Sequence, residues 1–289
     1  MILGVKSMLT PRELAEAIGV SESSLKRWAD AGLVRVTRTG GGHRRISLAE
    51  ATRFIRERHA TVVRPDILGL PRLECAEGSS EADRLYHYLC EGQAALARGT
   101  LMTMYLEGRT IAEICDGPLR ESLTRLGELW RHSDVGIMVE HRATDIVVGA
   151  LNQLRAAVAG REGPLAVGCA PAGDPYFVTT LMAAMVLESV GMHPVNLGAD
   201  TPLGALRHAI ATYEPRLVWV SVMSEEAATD AAADYAALAD ELDRQGIALV
   251  IGGRHRAALA APQRPRERVY IASSMGELAA FGQALGSQR

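Results

Sequence analysis

The chain has 289 residues, of which 48% are hydrophobic and 22% charged, proportions that exclude a disordered or collagen-like polymer and predict two or three folded modules. Its net charge of −3 hides an asymmetry: residues 1–64 hold twelve Lys/Arg against six Asp/Glu, so the remainder is acidic. A basic head on an acidic body excludes polyanion binding along the whole chain and points to nucleic acid at the head.

No stretch approaches the ~18 uninterrupted apolar residues of a membrane span. No secretory leader pattern precedes the first helix signal, so a cytoplasmic protein without a membrane partner is expected. Cys75, Cys90, Cys115 and Cys169 form no CxxC pair and are expected as reduced thiols.

In chain order, "TPRELAEAIGV" offers Thr10 as N-cap, Pro11 at the first helical position and Glu13 three residues after the cap. Leu14, Ala17 and Ile18 form its apolar face, and Gly19 permits a sharp turn. "SESSLKRWADAGL" restarts a helix capped by Ser21 or Ser23 and ended by Gly32. "VRVTRTGGGHRRIS" reads as two short strands around Gly40, Gly41 and Gly42, and "SLAEATRFIRERH" as a helix capped by Ser47. The head is therefore a winged helix–turn–helix over residues 1–64, followed by a linker over 65–80.

Helix-turn-helix recognition needs polar residues early in the second helix and cations for phosphates. Ser23, Ser24, Lys26 and Arg27 supply the first, and Arg38, His43, Arg44 and Arg45 on the Gly-rich ribbon suit the backbone or minor groove. Trp28 is expected in the core of the head.

Residues 81–158 are helical by period, with Leu119, Leu123, Leu126 and Trp130 at three- and four-residue spacing, and a further helix over "SDVGIMVEHRATDIVVGALNQL". A four-helix bundle fits this length. Met102, Met104 and Met138 here, with Met182 and Met185 beyond, are read as core.

Residues 159–289 alternate apolar runs ("LAVGCA", "HPVNL", "LVWVSV", "ALVIGG", "RVYIAS") with helical patterns. Five such units predict a doubly wound parallel sheet of flavodoxin-like order. Ligands of such sheets bind outside the carboxyl ends of the strands, where "GDPYFVTT", "SVMSEE" and "GGRHR" fall. Tyr176 belongs to that face. Glu225 and Glu226 read as first-turn acids of a helix.

The head resembles the MerR family of winged-helix regulators, on "LTPRELAEAIGVSESSLKRWADAGLV" followed by "RTGGGHRRIS". With the bundle and the α/β part, the chain is similar to the CarH/LitR type of adenosylcobalamin-dependent photoreceptor repressors. Trp130 followed by Glu140-His141 matches that type's Trp-x9-Glu-His motif, which caps the upper face of the cofactor. Ser221 and Met223 stand at its Ser-x-Leu positions, and Gly252-Gly253 at the pair that lets backbone approach the nucleotide tail. "NLGADTP" (196–202) adds to the likeness. Where that type has Asp-x-His-x-x-Gly around the cobalt, this chain has Asp174, Tyr176 and Thr179. Where it has a second cobalt-binding His after the Trp, this chain has Arg131, with His132 one residue later, ~100° around a helix.

The resemblance implies a non-enzymatic repressor that binds promoter DNA as a dimer or tetramer and is switched by a ligand held between bundle and α/β domain. Tyr176 is the one metal-ligand candidate, and a phenol coordinates only after losing a proton, near pH ~10 in water. Three occupants stay open: cobalamin with its own base or water below the metal; haem or a bilin, since tyrosinate ligates ferric haem in some proteins; or none. The competing functions are a cobalamin-dependent methyl-carrier or mutase subunit and a ligand-independent DNA-binding regulator.

Overall fold

The computed structural model describes residues 7–73, 78–129, 134–158, 163–259 and 267–287. They fall into two compact units, one of residues 1–110 with 117–159, the other of residues 111–116 with 160–289.

The first unit opens with β1 (Met8–Leu9) and α1 (Pro11–Ala17), where Thr10 and Glu13 close a reciprocal capping box. Gly19, at φ +69°, turns the chain into α2 (Glu22–Asp30). There Ser21 is the cap, its Oγ accepting from Ser24 N. The wing is the antiparallel pair β2 (Thr37–Arg38) and β3 (Arg44–Ser47), with β1 on the other side of β3. Ser47 caps α3 (Leu48–Glu57). Leu9, Leu14, Leu25, Ile46, Phe54 and Ile55 are at most 1% exposed and form the core of the head. Trp28 packs on Phe54 at 5.4 Å between ring centroids but is only half-buried, at the margin of that core.

After a 3₁₀ turn (Pro65–Leu68), Pro71 lies against Gly99 so closely that a Cβ there would sit 2.5 Å from its ring. The segment read as a linker is therefore packed on a helix over these residues. The bundle is α4 (Glu81–Cys90) and α5 (Ala94–Leu106), then, beyond a short α6 (Ile111–Ile114) and a π-turn (Cys115–Leu119), α7 (Arg120–Leu129) and α8 (Asp134–Ala157). Buried Ser122 on α7 donates to Ala82 O on α4 at 3.1 Å and to Pro118 O at 2.8 Å. Met102 and Met104 are core as expected, but Met138 is 51% exposed: α8 turns it outward while Ala143, Val147 and Leu151 face in.

The second unit is a five-stranded parallel sheet: β4 (Leu165–Cys169), β5 (His193–Asn196), β6 (Leu217–Ser221), β7 (Ala248–Gly252) and β8 (Val269–Ile271). The spatial order β5-β4-β6-β7-β8 reverses direction between β4 and β6, the flavodoxin-like arrangement. Between the strands run α9 (Phe177–Ser189), α10 (Leu203–Tyr213), α11 (Glu225–Gln245) and α12 (Arg256–Leu259), and α13 (Met275–Ser287) closes the unit. Val167, Val218, Val220 and Leu249 pack with Leu206, Tyr235 and Leu238 of α10 and α11 on one face. The other face is covered by α9, nearly apolar all round as a doubly buried helix must be. Residues 111–116 join this unit because the Asp116 carboxylate accepts from Met275 N at 2.9 Å and Gly276 N at 2.8 Å, capping α13.

Candidate functional site

Two regions collect the residues singled out in the sequence. On the head, α2 leads with its cap, so Ser23 and Ser24 lie in its first turn; Ser23 is exposed and Ser24 half-buried. Lys26 is exposed but pairs with Glu22 at 2.8 Å, and Arg27 donates to Ser24 Oγ at 3.3 Å. On the wing, Arg38 and His43 are exposed beside Gly42, whose φ of +78° makes the tight tip.

Arg44 does not point freely to solvent: its guanidinium pairs with Asp30 at the end of α2, at 2.6 Å. That pair ties wing to recognition helix, so Arg44 has a structural duty besides any phosphate contact. Arg45, next along β3, donates only at 3.4 Å to Arg44 O. Beneath them the Glu50 carboxylate accepts from Arg35 N at 2.7 Å and from Arg53 Nε at 2.9 Å, while Arg53 also reaches Leu33 O at 3.0 Å. Burial pushes Glu50 up, but the Arg53 and Arg35 bonds outweigh it and leave its pKa below the usual carboxylate value. Among these contacts the head gains a fixed angle between wing and helix, which groove docking requires.

The second region is the carboxyl edge of the sheet. Asp174, fully buried, accepts from Tyr176 N at 3.0 Å, Ser224 N at 3.1 Å and Met223 N at 2.5 Å. It thus pins the loop after β4 to the loop after β6. Gly173 N donates to Asp200 at 2.7 Å, which holds the "NLGADTP" loop in the same group. Tyr176 is 54% exposed and precedes α9; Thr179 spends its hydroxyl on Tyr176 O at 3.2 Å. Ser221 is buried at the end of β6, and Met223 Sδ receives Arg254 N at 3.4 Å. A Cβ on Gly253 would lie 2.1 Å from Val222 O, so this glycine is required by the approach of two loops, whereas Gly252 has room.

Four expected residues fall outside these two regions. Glu140 and His141 are in the first unit on α8, where Glu140 accepts from Thr144 Oγ1 at 2.8 Å and His141 stands 3.6 Å from Glu140. Their side chains are 27% and 72% exposed. Trp130 and His132 lie outside the described residues.

The sheet edge does not offer the His ligand to cobalt that the resemblance implies. The loop after β4 offers a phenol in place of an imidazole, and Asp174, the carboxylate beside it, is committed to three backbone amides. Among the described residues no group of three or more His, Cys, Asp and Glu side chains could hold a metal. Sequence reasoning missed Trp219, Thr180 and Asn196, which fill the interior just behind this edge. Trp219 Nε1 donates to Thr180 Oγ1 at 3.0 Å, and Thr180 Oγ1 bonds Asn196 Oδ1 at 3.0 Å. The available signal was Trp219 standing two residues before Ser221, hence on the same strand face.

Comparison with known proteins agrees with this division. Residues 10–46 match the MerR family regulatory protein family, and residues 81–155 match the B12 binding domain family. The HTH-type transcriptional repressor CarA of Myxococcus xanthus is 26% identical over 227 residues, covering 75% of this chain and 77% of that one. Among solved structures, the monomethylamine corrinoid protein of Methanosarcina barkeri superposes with a TM-score of 0.53 at 15% identity, over 71% of this chain and 98% of that one, a likeness of fold. A cobalamin-binding protein from Desulfitobacterium hafniense covers the same shares at a TM-score of 0.35 and 14% identity. The chain thus joins a MerR-family DNA-binding head to a B12-binding-type helical domain and a parallel α/β domain, the architecture of a MerR-family regulator with a B12-binding module.

Proposed function

We propose that the chain is a transcriptional repressor that binds promoter duplex as a homo-oligomer and releases or grips it according to a planar tetrapyrrole held by its B12-type module. The observation that carries this reading is the presence, in one chain, of a basic winged head and a B12-binding-type bundle. A corrin, the ring of cobalamin, is the first-choice ligand; haem and bilins are the others, and light response belongs to the adenosylcobalamin branch alone.

Each part has its task. α2, with Ser23 and Ser24 in its first turn and Arg27 in its last, reads the major groove. Arg38, His43 and Arg45 hold the flanking backbone, and the Arg44–Asp30 pair keeps wing and helix in register. Glu140 and His141 offer polar contacts to the ring's edge substituents. When bound, the ring supplies a large flat surface whose preference for one assembly state shifts the population that binds DNA. Catalysis has no place in this account: a methyl carrier or mutase subunit would have no use for a basic winged head.

The test is binding to duplexes selected from a random library, comparing the full chain with residues 65–289. The proposal expects a recurrent duplex for the full chain and none for the truncated one. Recovery of that duplex by residues 65–289 would overturn it.

A further inference from the structure

The register of the sheet places Gly168 of β4 beside both Trp219 of β6 and Asn196 of β5. Side chains of paired residues share a face, and this face is the one α9 covers, since Thr180 of α9 bonds both Trp219 and Asn196. The small residue at 168 leaves a gap in the floor, and the indole of Trp219 fills it. A Cβ on Gly168 would lie 2.1 Å from Trp219 Cδ2 and 2.4 Å from Cε2. The indole is 1% exposed and Thr180 is fully buried.

The polar groups there are satisfied among themselves. Trp219 donates to Thr180, Thr180 bonds Asn196, and Asn196 Oδ1 also accepts from Gly198 N at 3.1 Å. Moving the indole would strand its buried N–H, which resists displacement more than an apolar contact alone would. Gly252-Gly253, the pair assigned to a nucleotide tail by resemblance, with Ser221 and Thr179, border this same region at the ends of β7, β6 and α9.

We infer that Trp219 is a plug that determines ligand specificity: it closes the α9 face of the sheet to a nucleotide tail, so the module takes a tetrapyrrole ring without such a tail in preference to complete cobalamin. The inference rests on the ring-binding reading above and narrows its substrate class. A nucleotide tail brings a ribose phosphate and a flat base, and the interior of this face beside Gly252-Gly253 is already filled by the indole.

The test titrates the full chain, followed by absorption, with hydroxocobalamin and with cobinamide, the same corrin lacking its nucleotide. Wild type is expected to bind cobinamide at least about ten-fold more tightly than cobalamin. Trp219→Leu is expected to tighten cobalamin by about ten-fold while changing cobinamide by less than about three-fold. Trp219→Val, with a strand-forming side chain, gives the same readout if the leucine variant does not fold. Equal or tighter binding of cobalamin by wild type overturns the plug, as does a folded Trp219 variant with no gain for cobalamin. If neither corrin binds wild type, the ring-binding reading fails for corrins, and the plug is decided by whether the folded variant acquires cobalamin.

Discussion

The guanidinium of Arg56 on α3 lies 3.9 Å over the ring of Tyr105 on α5, and donates to Tyr105 O, to Arg109 O at 2.8 Å and to Gly108 O at 3.4 Å. One side chain of the DNA-binding head thereby binds three carbonyls at and just beyond the end of a bundle helix, with the favourable dipole sign. Head and bundle are joined as one unit by a contact that only a planar fork can make. Burial pushes the Tyr105 hydroxyl above its ordinary pKa, so the ring under Arg56 stays neutral.

Arg56→Ala is expected to lower the stability of the first unit by about 2 kcal/mol, the range for hydrogen bonds to a charged group, with Arg56→Lys recovering less than half. Urea unfolding followed by circular dichroism measures it. No change in midpoint would show the clamp to be ornamental.

The wing cations divide by partner. Arg45→Ala should weaken binding to specific and random duplex alike and reduce the salt slope by about one, as a phosphate contact does. Arg44→Ala should do the same and also lower the melting temperature of the head, because it breaks the pair with Asp30. Fluorescence anisotropy at several salt concentrations separates the two; equal thermal stability of both variants would contradict the assignment.

Glu50 links stability to pH. Its folded pKa is depressed, so the unfolded chain binds the proton more readily, and its contribution is complete above the ordinary carboxylate pKa. That contribution is lost as the pH falls through the lower, folded value. Glu50→Gln should therefore destabilise the head by about 1–3 kcal/mol at neutral pH and shrink that difference at strongly acid pH. An unfolding series from pH 7 downward checks the sign; a difference that grows on acidification would refute it.

Cys169 is silent chemistry. Burial pushes its thiol up to about 12, and Tyr235, whose hydroxyl lies 3.9 Å away, is raised as well, chiefly by burial. At pH 8 its thiolate fraction is about a thousand-fold below that of an ordinary thiol, so iodoacetamide should spare it until the sheet unfolds. Mass spectrometry after labelling with and without urea reads this. Rapid native labelling at Cys169 would mean that β4 opens readily.

The order of elements was legible because local signals agreed with the fold. Thr10, Ser21 and Ser47 announced their helices by capping, and five apolar runs between helical patterns permitted little besides a parallel sheet. Legibility failed where contacts are distant in sequence. Nothing near Asp116 predicts that it caps a helix starting at Met275, and nothing near Arg56 predicts Tyr105. Trp219 was hidden for another reason: in a strand buried on both faces, an apolar residue fits everywhere, so only the pairing with Gly168 shows what the indole fills. Asp174 read as part of a metal motif, whereas the structure commits it to three backbone amides.

The central claim, that a ring ligand sets DNA affinity, is tested most directly by anisotropy of one selected duplex titrated with the full chain. The titration is run alone and then with cobinamide, hydroxocobalamin, adenosylcobalamin in dark and light, and haemin. The account predicts that at least one ring changes the apparent Kd by about ten-fold or more, and leaves a head-only fragment of residues 1–64, where that fragment binds, unaffected. A single Kd unchanged by every ring, in dark and in light, would contradict it.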